Sequence, residues 1–378
     1  MACSAALASA ETLPEVIVRA VAYFPDVHSA VSRREAADAQ TGQARADLLP
    51  SINASLGRGR ETSRNPSTRA LLSDPTLSRT EADIVFTQLL YDGGASTGQV
   101  QRFAARTQGA GYTIANTAED IGLRAGQAFI DVRRLREQLA TAHDNVKVHE
   151  QTLADVRALA DGGRGRRADV VQAQARLALA LSTVELLSGQ LRQADAAFRY
   201  FTGTNPGNLE EPASLGSQLP ARFEEAVDQA VPAHPAVQAA QKDIDAARYD
   251  RDSAKARVVA PRVTLEAGAS HNRDLDGLVG LNEDRYAMIR LRYKLFRGFG
   301  DTERVREAQA RIDDALANIE RIRSEVVRDA RQAWDVLNAD RARLVQLRNY
   351  WQASADVVEA YRMQFQLGQR SLLDVLNA

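Results

Sequence analysis

The sequence has few of the residues that cross-link a small domain or bind a metal. Its 378 residues include one cysteine, Cys3, so an internal disulfide and a thiolate metal site are both excluded. The five histidines are scattered, and even His143 and His149, six positions apart, do not share a helix face. A formal net charge of −1 gives no bulk attraction to nucleic acid. No nucleophile–base pair, metal cluster or cofactor loop is evident, so we predict neither an enzyme nor a cofactor.

Long hydrophobic runs are also lacking. No stretch of 18 or more apolar residues is present, so the sequence predicts no transmembrane helix. The N-terminal stretch MACSAALASAET is short and apolar and ends in the small residues Ala8 and Ala10, as the tail of a secretory signal peptide does. Residues 1–10 are therefore interpreted as a signal-peptide remnant or as a disordered start.

What the sequence does contain is an internal repeat. Pro25 and Pro235 each open an Ala-rich helix, in the position where proline suits the first helical turn. Pro50 and Pro261 each mark the change from that helix to the two-residue alternation typical of a β-strand. The same order of motifs in both halves indicates that one structural unit occurs twice in the chain.

The later parts of the two copies have the same length. Asp92 and Asp169 are 77 positions apart, and so are Arg297 and Asp374. Both intervals lack proline, and their apolar residues recur at alternating spacings of three and four, the pattern of a packed long helix. At 1.5 Å per residue, roughly 66 residues would form a rod of about 100 Å.

The repeat predicts a layout in two parts, 11–232 and 233–378. The first part should hold strands at about 51–59 and 83–91, a long helix at about 94–160, a return helix at about 169–200 and an equatorial segment at 202–220. The second should hold a helix at about 235–259, strands at about 262–270 and 286–296 and a long helix at about 300–367. By comparison with the first part, roughly 60 further residues would complete the second.

The predicted strands are apolar on one side only. Ile52 and Leu56 alternate with polar residues, and Ile289 and Leu291 alternate with Arg290. Such strands fit a transmembrane β-barrel or an ordinary soluble sheet. We favour the barrel, because neighbouring long helices would leave the apolar side without a protein cover. Four strands cannot close a barrel, so several copies would have to combine, and a lumen would need at least three.

With this order of elements, the chain resembles the TolC family of outer-membrane efflux and secretion channels. The resemblance rests on the helix-to-strand junctions ARADLLPSINASLG and KARVVAPRVTLEAG, the strand-to-helix junctions LLYDGGAS and KLFRGFGD, and the turns GGRGRRADVVQAQARL and LGQRSLLDVLNA. These motifs are weak one by one, but their duplicated order and spacing across residues 11–378 are specific.

The resemblance implies a mainly α fold with a small β part. Three chains would form a 12-stranded transmembrane β-barrel continuous with an α-helical tunnel in the periplasm. The homotrimer would lie in the outer membrane of a Gram-negative bacterium and meet a periplasmic adaptor and an inner-membrane ABC or other pump. It would be a passive conduit for type I protein secretion, which the sequence LGQRSLLDVLNA favours, or for small-molecule efflux. The alternative is a soluble periplasmic coiled-coil adaptor or scaffold.

Candidate functional residues lie at the turns and in the last strand. By resemblance, Asp374 would narrow the periplasmic entrance, with Asn377 where a second acid is expected and Asp169 at the matching place in the first copy. A helix-capping role for both aspartates remains the alternative. The candidate adaptor contacts are Gly163, Arg164, Arg166, Arg167, Gly368 and Arg370; the alternative is that they are ordinary solvated turn residues. The candidate barrel-lumen residues are Arg290, Arg292 and Lys294; the alternative is that they are only hydrated and have no role in selectivity.

Overall fold

The structure is a computed structural model that describes residues 10–70, 76–216, 219–371 and 374–375. The elements of the first copy are α1 (Leu13–Tyr23), α2 (Pro25–Ala46), β1 (Ser51–Thr62), α3 (Pro66–Ala70), β2 (Thr76–Tyr91), α4 (Ala95–Asp161), α5 (Arg167–Thr202) and α6 (Phe223–Ala233). Those of the second copy are α7 (Pro235–Val259), β3 (Arg262–Arg273), β4 (Leu281–Arg292) and α8 (Gly300–Gln366).

The two long helices match in length and position. Both α4 and α8 have 67 residues. Their starts, Ala95 and Gly300, and their ends, Asp161 and Gln366, are each 205 positions apart. The absence of proline and the heptad spacing of apolar residues account for this length, because nothing in either sequence interrupts the backbone hydrogen bonds.

Contacts divide the chain into two units that do not follow the repeat boundary. One comprises Met1–His28, Ala115–Val231 and Glu325–Ala378; the other comprises Ser29–Ile114 and Pro232–Ser324. Each unit therefore draws on both copies of the repeat.

The first unit has a core where α1, α4 and α5 pack together. Val16, Phe129, Val132 and Phe198 are fully buried there. Burial of each such side chain stabilises the fold by about 1.5–3 kcal/mol. The N-terminus of α1 is fixed by Thr12, whose hydroxyl accepts the Glu15 N–H while Glu15 binds the Thr12 N–H.

Helix α5 differs from the sequence prediction in one respect. It contains an 18-residue window that is long and apolar enough to cross a membrane by composition alone. Isolated polar residues break the apolar run in this window, which is why a search for uninterrupted runs misses it. Ala180 and Val184 of α5 pack against Ala142 and Val146 of α4, so part of this apolar surface serves helix pairing.

The second unit contains a four-stranded antiparallel sheet in the order β1-β2-β3-β4. Within each copy the two strands form a hairpin, and the ladder between β2 and β3 joins the copies. The strands β1, β2 and β3 extend beyond the predicted 51–59, 83–91 and 262–270. Backbone pairing continues past the apolar positions into polar residues such as Arg58 and Arg60, which the side-chain pattern does not identify as strand.

Strand β4 is displaced from its predicted span of 286–296 and ends at Arg292. Arg292 pairs with Arg262, the first residue of β3. The residue before it is Pro261, which has no N–H for a ladder, so β4 has no partner beyond this point. Lys294, predicted to lie on the strand, therefore falls in the segment between β4 and α8.

Candidate functional site

The two faces of the sheet differ in character. Residues paired across neighbouring strands project to the same side, so Ile52, Phe86, Ala267 and Ala287 share what we call the apolar face. Large side chains on this face are uncovered: Ile52 is 66% exposed and Ile289 is 68% exposed. In a single chain this face therefore presents unburied hydrocarbon to its surroundings.

The opposite side, the polar face, carries an ion-pair cluster near the strand ends that connect to the helices. Glu266 of β3 accepts hydrogen bonds from Arg290 Nε at 2.6 Å and from Arg292 at 2.9 Å, both on β4. The hydroxyl of Thr264 donates to the same carboxylate at 3.2 Å. The Glu266 side chain is only 10% exposed, because these partners cover it. The predicted lumen residues Arg290 and Arg292 thus share one counter-ion, while Lys294 lies beyond the sheet.

The first turn, between α4 and α5, closes on a left-handed glycine. Gly163 has φ 73°. Its N–H donates to Ala160 O at 3.0 Å, and the Arg164 N–H donates to Leu159 O at 2.9 Å. This pair of bonds is the Schellman arrangement, which satisfies the last carbonyls of a helix.

The start of α5 corrects one of the sequence interpretations. The N-cap is Arg166, which makes no side-chain capping bond, and Asp169 lies in the first turn. The negative charge of Asp169 therefore stabilises the positive N-terminal end of α5, and its side chain does not cap a free N–H. Arg164, Arg166 and Arg167 are exposed, and within the described part of the chain none of them forms an ion pair.

The second turn, after α8, repeats this geometry with different side chains. Gly368 has φ 70°, and its N–H donates to Phe365 O at 2.9 Å. Arg370 folds back onto α8: its Nε donates to Gln364 Oε1 at 2.8 Å, and its guanidinium carbon lies 3.8 Å from the centre of the Tyr361 ring. Arg370 is thus held against its own helix, unlike the three arginines of the first turn.

Asp374 interacts with the residue that caps its own turn. The Ser371 hydroxyl donates to Asp374 Oδ2 at 2.8 Å, and Ser371 Oγ accepts the Asp374 N–H at 3.3 Å. Ser371 is therefore the capping residue, and Asp374 supports it from three positions later. Asn377, the other predicted entrance residue, lies outside the described residues.

A charged cluster in the second unit was not predicted from the sequence. Asp250 of α7 lies 2.7 Å from Arg102 Nη1 of α4 and 3.4 Å from Arg311 Nη1 of α8. Burial pushes the pKa of Asp250 upward, but hydrogen bonds from Arg102 and Gln99 outweigh it and leave the pKa below its ordinary value. Partial desolvation raises the pKa of Asp243, one heptad earlier on the same helix. The sequence feature that could have indicated this cluster is the seven-residue spacing of the two acids, which places them on one face of an Ala-rich helix.

Comparisons with known proteins agree with this architecture. The family model described as outer membrane efflux protein matches residues 16–204 and 226–378. The outer membrane efflux protein BepC of Brucella suis is 24% identical over 98% of this chain and 79% of its own length. The outer membrane protein TolC of Vibrio cholerae is 26% identical over 98% of this chain and 84% of its own.

Solved structures show the same fold. A structure of CusC superposes with a TM-score of 0.83 at 17% identity, over 97% of this chain and 84% of that one. The outer membrane protein VceC of Vibrio cholerae gives 0.79 at 20% identity, over 96% and 88% of the two chains. Because the family match spans nearly all of both copies of the repeat, this chain belongs to the outer membrane efflux protein family.

Proposed function

We propose that three copies of this chain close a 12-stranded β-barrel in the outer membrane and act as a passive conduit for export. The family is that of Gram-negative outer-membrane channels, whose members take part in efflux and secretion. The observation that carries the proposal is the apolar face, whose exposed side chains include Ile52, Ile84, Ile289 and Leu291. Hydrocarbon of the bilayer is the cover that these side chains require.

The number of copies follows from the sheet edges. In the sheet formed by the described residues, β1 and β4 are each paired on one side only, so each presents unpaired backbone groups. Such an edge is not tolerated in hydrocarbon, and closure requires β1 of one chain to pair with β4 of the next. Two copies would give an eight-stranded barrel filled by its own side chains, whereas three leave a lumen.

The turns are the proposed meeting point with the export machinery. We assign Arg164, Arg166 and Arg167, with the turn glycines Gly163 and Gly368, to contact with a periplasmic adaptor that joins the channel to an inner-membrane pump. The support is that these arginines are exposed and lack ion-pair partners in the described structure. Arg370, bound to Gln364 and Tyr361, would shape the second turn instead.

Asp374 is the proposed entrance residue. Asp374 follows the second turn, six positions after Gly368. Its carboxylate, repeated in three copies, would form a ring of acids at the periplasmic end. Asp169 would take a lesser part, since its turn also carries the three exposed arginines. Asn377 belongs to the same proposal.

The cargo assignment rests on the second turn, whose sequence LGQRSLLDVLNA favours type I protein secretion. A relative from Pseudomonas aeruginosa that is 23% identical is named alkaline protease secretion protein AprF. The similar identity of BepC, named for efflux, leaves small-molecule export as the second candidate.

The test is whether the full-length protein purifies from membranes in detergent as a trimer and conducts in planar bilayers. Ile289→Asp on the apolar face should abolish membrane assembly, whereas Asp284→Asn on the polar face of the same strand should permit it. A water-soluble monomer without conductance would overturn the proposal and favour the soluble scaffold.

A further inference from the structure

Charge is unevenly distributed along the polar face of the sheet. Near the strand ends that connect to the helices, this face carries Arg262, Arg290 and Arg292 together with Glu266. Three positive charges less one negative charge leave +2 per chain in this arginine band. The ion pairs of Glu266 hold two of these guanidinium groups in place but neutralise only one of them.

Nearer the loops, the polar face has the opposite sign. Asp83 of β2 and Asp284 of β4 both pair with Ser270 of β3, so they occupy one layer. Beyond them, Glu61 and Glu81 bind the single cation Arg79. Four negative charges less one positive charge leave −3 per chain in this acidic band.

A neutral layer separates the two bands. Gly268 of β3 pairs with Tyr286 of β4 and with Val85 of β2, and Val85 pairs with Asn53 of β1. The Tyr286 ring lies across Gly268: a Cβ built on this glycine would be 2.7 Å from the ring. The aromatic side chain therefore fills the space between the arginine and acidic bands.

The distance between the bands makes them electrically distinct. Glu266, which holds the Arg290 guanidinium, and Ser270, the partner of Asp284, are four residues apart on β3, which corresponds to roughly 13 Å along the strand. At physiological ionic strength charges are screened over about 8 Å. An ion in the lumen would therefore feel each band separately.

We propose that the polar face makes the barrel lumen a bipolar charge filter, which rectifies ion flow and slows compact solutes of either charge. This rests on the proposed barrel, in which three copies turn each band into a ring. A small anion is held by the arginine ring and repelled by the acidic ring, and a small cation meets the reverse. Neutral or charge-balanced cargo meets no such barrier, so the filter defines the class of solute that passes.

The order of the rings fixes the direction of rectification. When cations are driven from the loop end and anions from the helix end, both accumulate between the rings and the conductance rises. The opposite voltage empties that region. Current carried by cations from the loop end toward the helix end should therefore exceed the reverse current.

The test uses the detergent-purified, assembled protein inserted from one side of a planar bilayer. In about 0.1 M KCl, where screening extends about 10 Å and the two bands stay separate, the currents at opposite voltages should differ by at least about twofold, and in about 1 M KCl, where screening extends about 3 Å, they should be nearly equal. The double variant Arg290→Gln and Arg292→Gln should lower the rectification and shift the reversal potential toward potassium selectivity. The double variant Asp83→Asn and Asp284→Asn should also lower the rectification but shift selectivity toward chloride.

A matched control comes from the opposite side of β4. Arg285 is exposed and projects with the apolar face, so Arg285→Gln removes one arginine charge from the same strand without altering the lumen and should change neither property. A conducting wild-type protein with equal currents in dilute salt would overturn the filter while leaving the channel intact. Absence of any conductance would overturn the channel and the filter together. If the arginine variant fails to assemble, an unchanged reversal potential in the aspartate variant is sufficient to overturn the filter.

Discussion

The Ser371 hydroxyl donates a hydrogen bond to the Asp374 carboxylate at 2.8 Å, just after the second turn. The contact allows the two roles of Asp374 to be separated. Asp374→Ala removes both the helix support and the charge, whereas Ser371→Ala removes the cap and keeps the charge. If Asp374 narrows the entrance, only the Asp374 variant should raise single-channel conductance at low voltage. Equal conductance in the two variants would leave Asp374 a structural role alone, worth about 1 kcal/mol.

The arginines of the first turn should control docking of the adaptor. Replacing Arg164, Arg166 and Arg167 by glutamine should weaken binding of the cognate adaptor at low salt by at least about tenfold, and the loss should shrink at high salt as exposed charges are screened. Arg370→Gln and the single variant Arg164→Gln each remove one turn arginine; Arg370→Gln should have the smaller effect, because Arg370 is already held by Gln364 and Tyr361. Binding measured by surface plasmon resonance at two salt concentrations distinguishes these outcomes. A loss of equal size at both concentrations would speak against an electrostatic contact.

Asp250 should be important for stability in the helical part of the second unit. Asp250→Asn would leave the part-buried Arg102 without its carboxylate partner, and we expect a loss of about 1–3 kcal/mol in unfolding free energy. Asp252 pairs with its neighbour Arg251 at an exposed position, so Asp252→Asn should cost less than about 1 kcal/mol. Thermal unfolding followed by circular dichroism compares the two. Equal midpoints would contradict a stabilising role of the Asp250–Arg102 ion pair.

His149 should make the α4–α5 region sensitive to mild acid. Burial lowers the pKa of His149, and the nearby Arg176 lowers it further. As the pH falls below the ordinary histidine pKa of about 6.5, the unfolded chain takes up the proton first, so stability falls with pH until the folded form is protonated too. His149→Gln should flatten this dependence between about pH 6.5 and 5. Denaturant titrations at several pH values measure this slope in the wild-type protein and in the variant.

The Tyr286 ring over Gly268 predicts a coupled pair of substitutions. Gly268→Ala should destabilise the assembled protein, because the new Cβ would displace the Tyr286 ring. In a Tyr286→Ala background the same change should have little effect, since the obstructing ring is gone. The temperature at which the detergent-solubilised assembly dissociates on a gel measures both. Additive effects would show that the ring and the glycine act independently.

The sequence predicted most of the elements but not all of their limits. Heptad spacing without proline placed α4 and α8 close to their observed ends, since long helices depend on a continuous local pattern. The outer parts of the strands were missed, because residues such as Arg58 pair through backbone groups that a side-chain pattern does not reveal. The end of β4 depends on where its partner β3 begins, which is a property of the sheet and not of the residues around Lys294.

The site residues divide in the same way. Alternation placed Arg290 and Arg292 on the polar side correctly, but their shared bond to Glu266 needs the register between two strands. Arg164 and Arg370 look alike in sequence, yet Arg370 folds onto an aromatic ring, Tyr361, nine positions earlier, whereas the corresponding part of α4 carries no aromatic residue. The capping role that the sequence predicts for Asp169 is wrong, because the N-cap of α5 is Arg166.

The ladder between β2 and β3 is the place where the two copies of the repeat join within the sheet. The strands of one copy alone would form a hairpin with two unpaired edges. In this chain β2 and β3 each use one of those edges to pair with the other copy. A shorter protein carrying one copy would supply two strands, so a hexamer of half-length chains would be needed to reach the twelve that three full chains supply. In the proposed trimer of this chain, a covalent link would replace half of those subunit contacts.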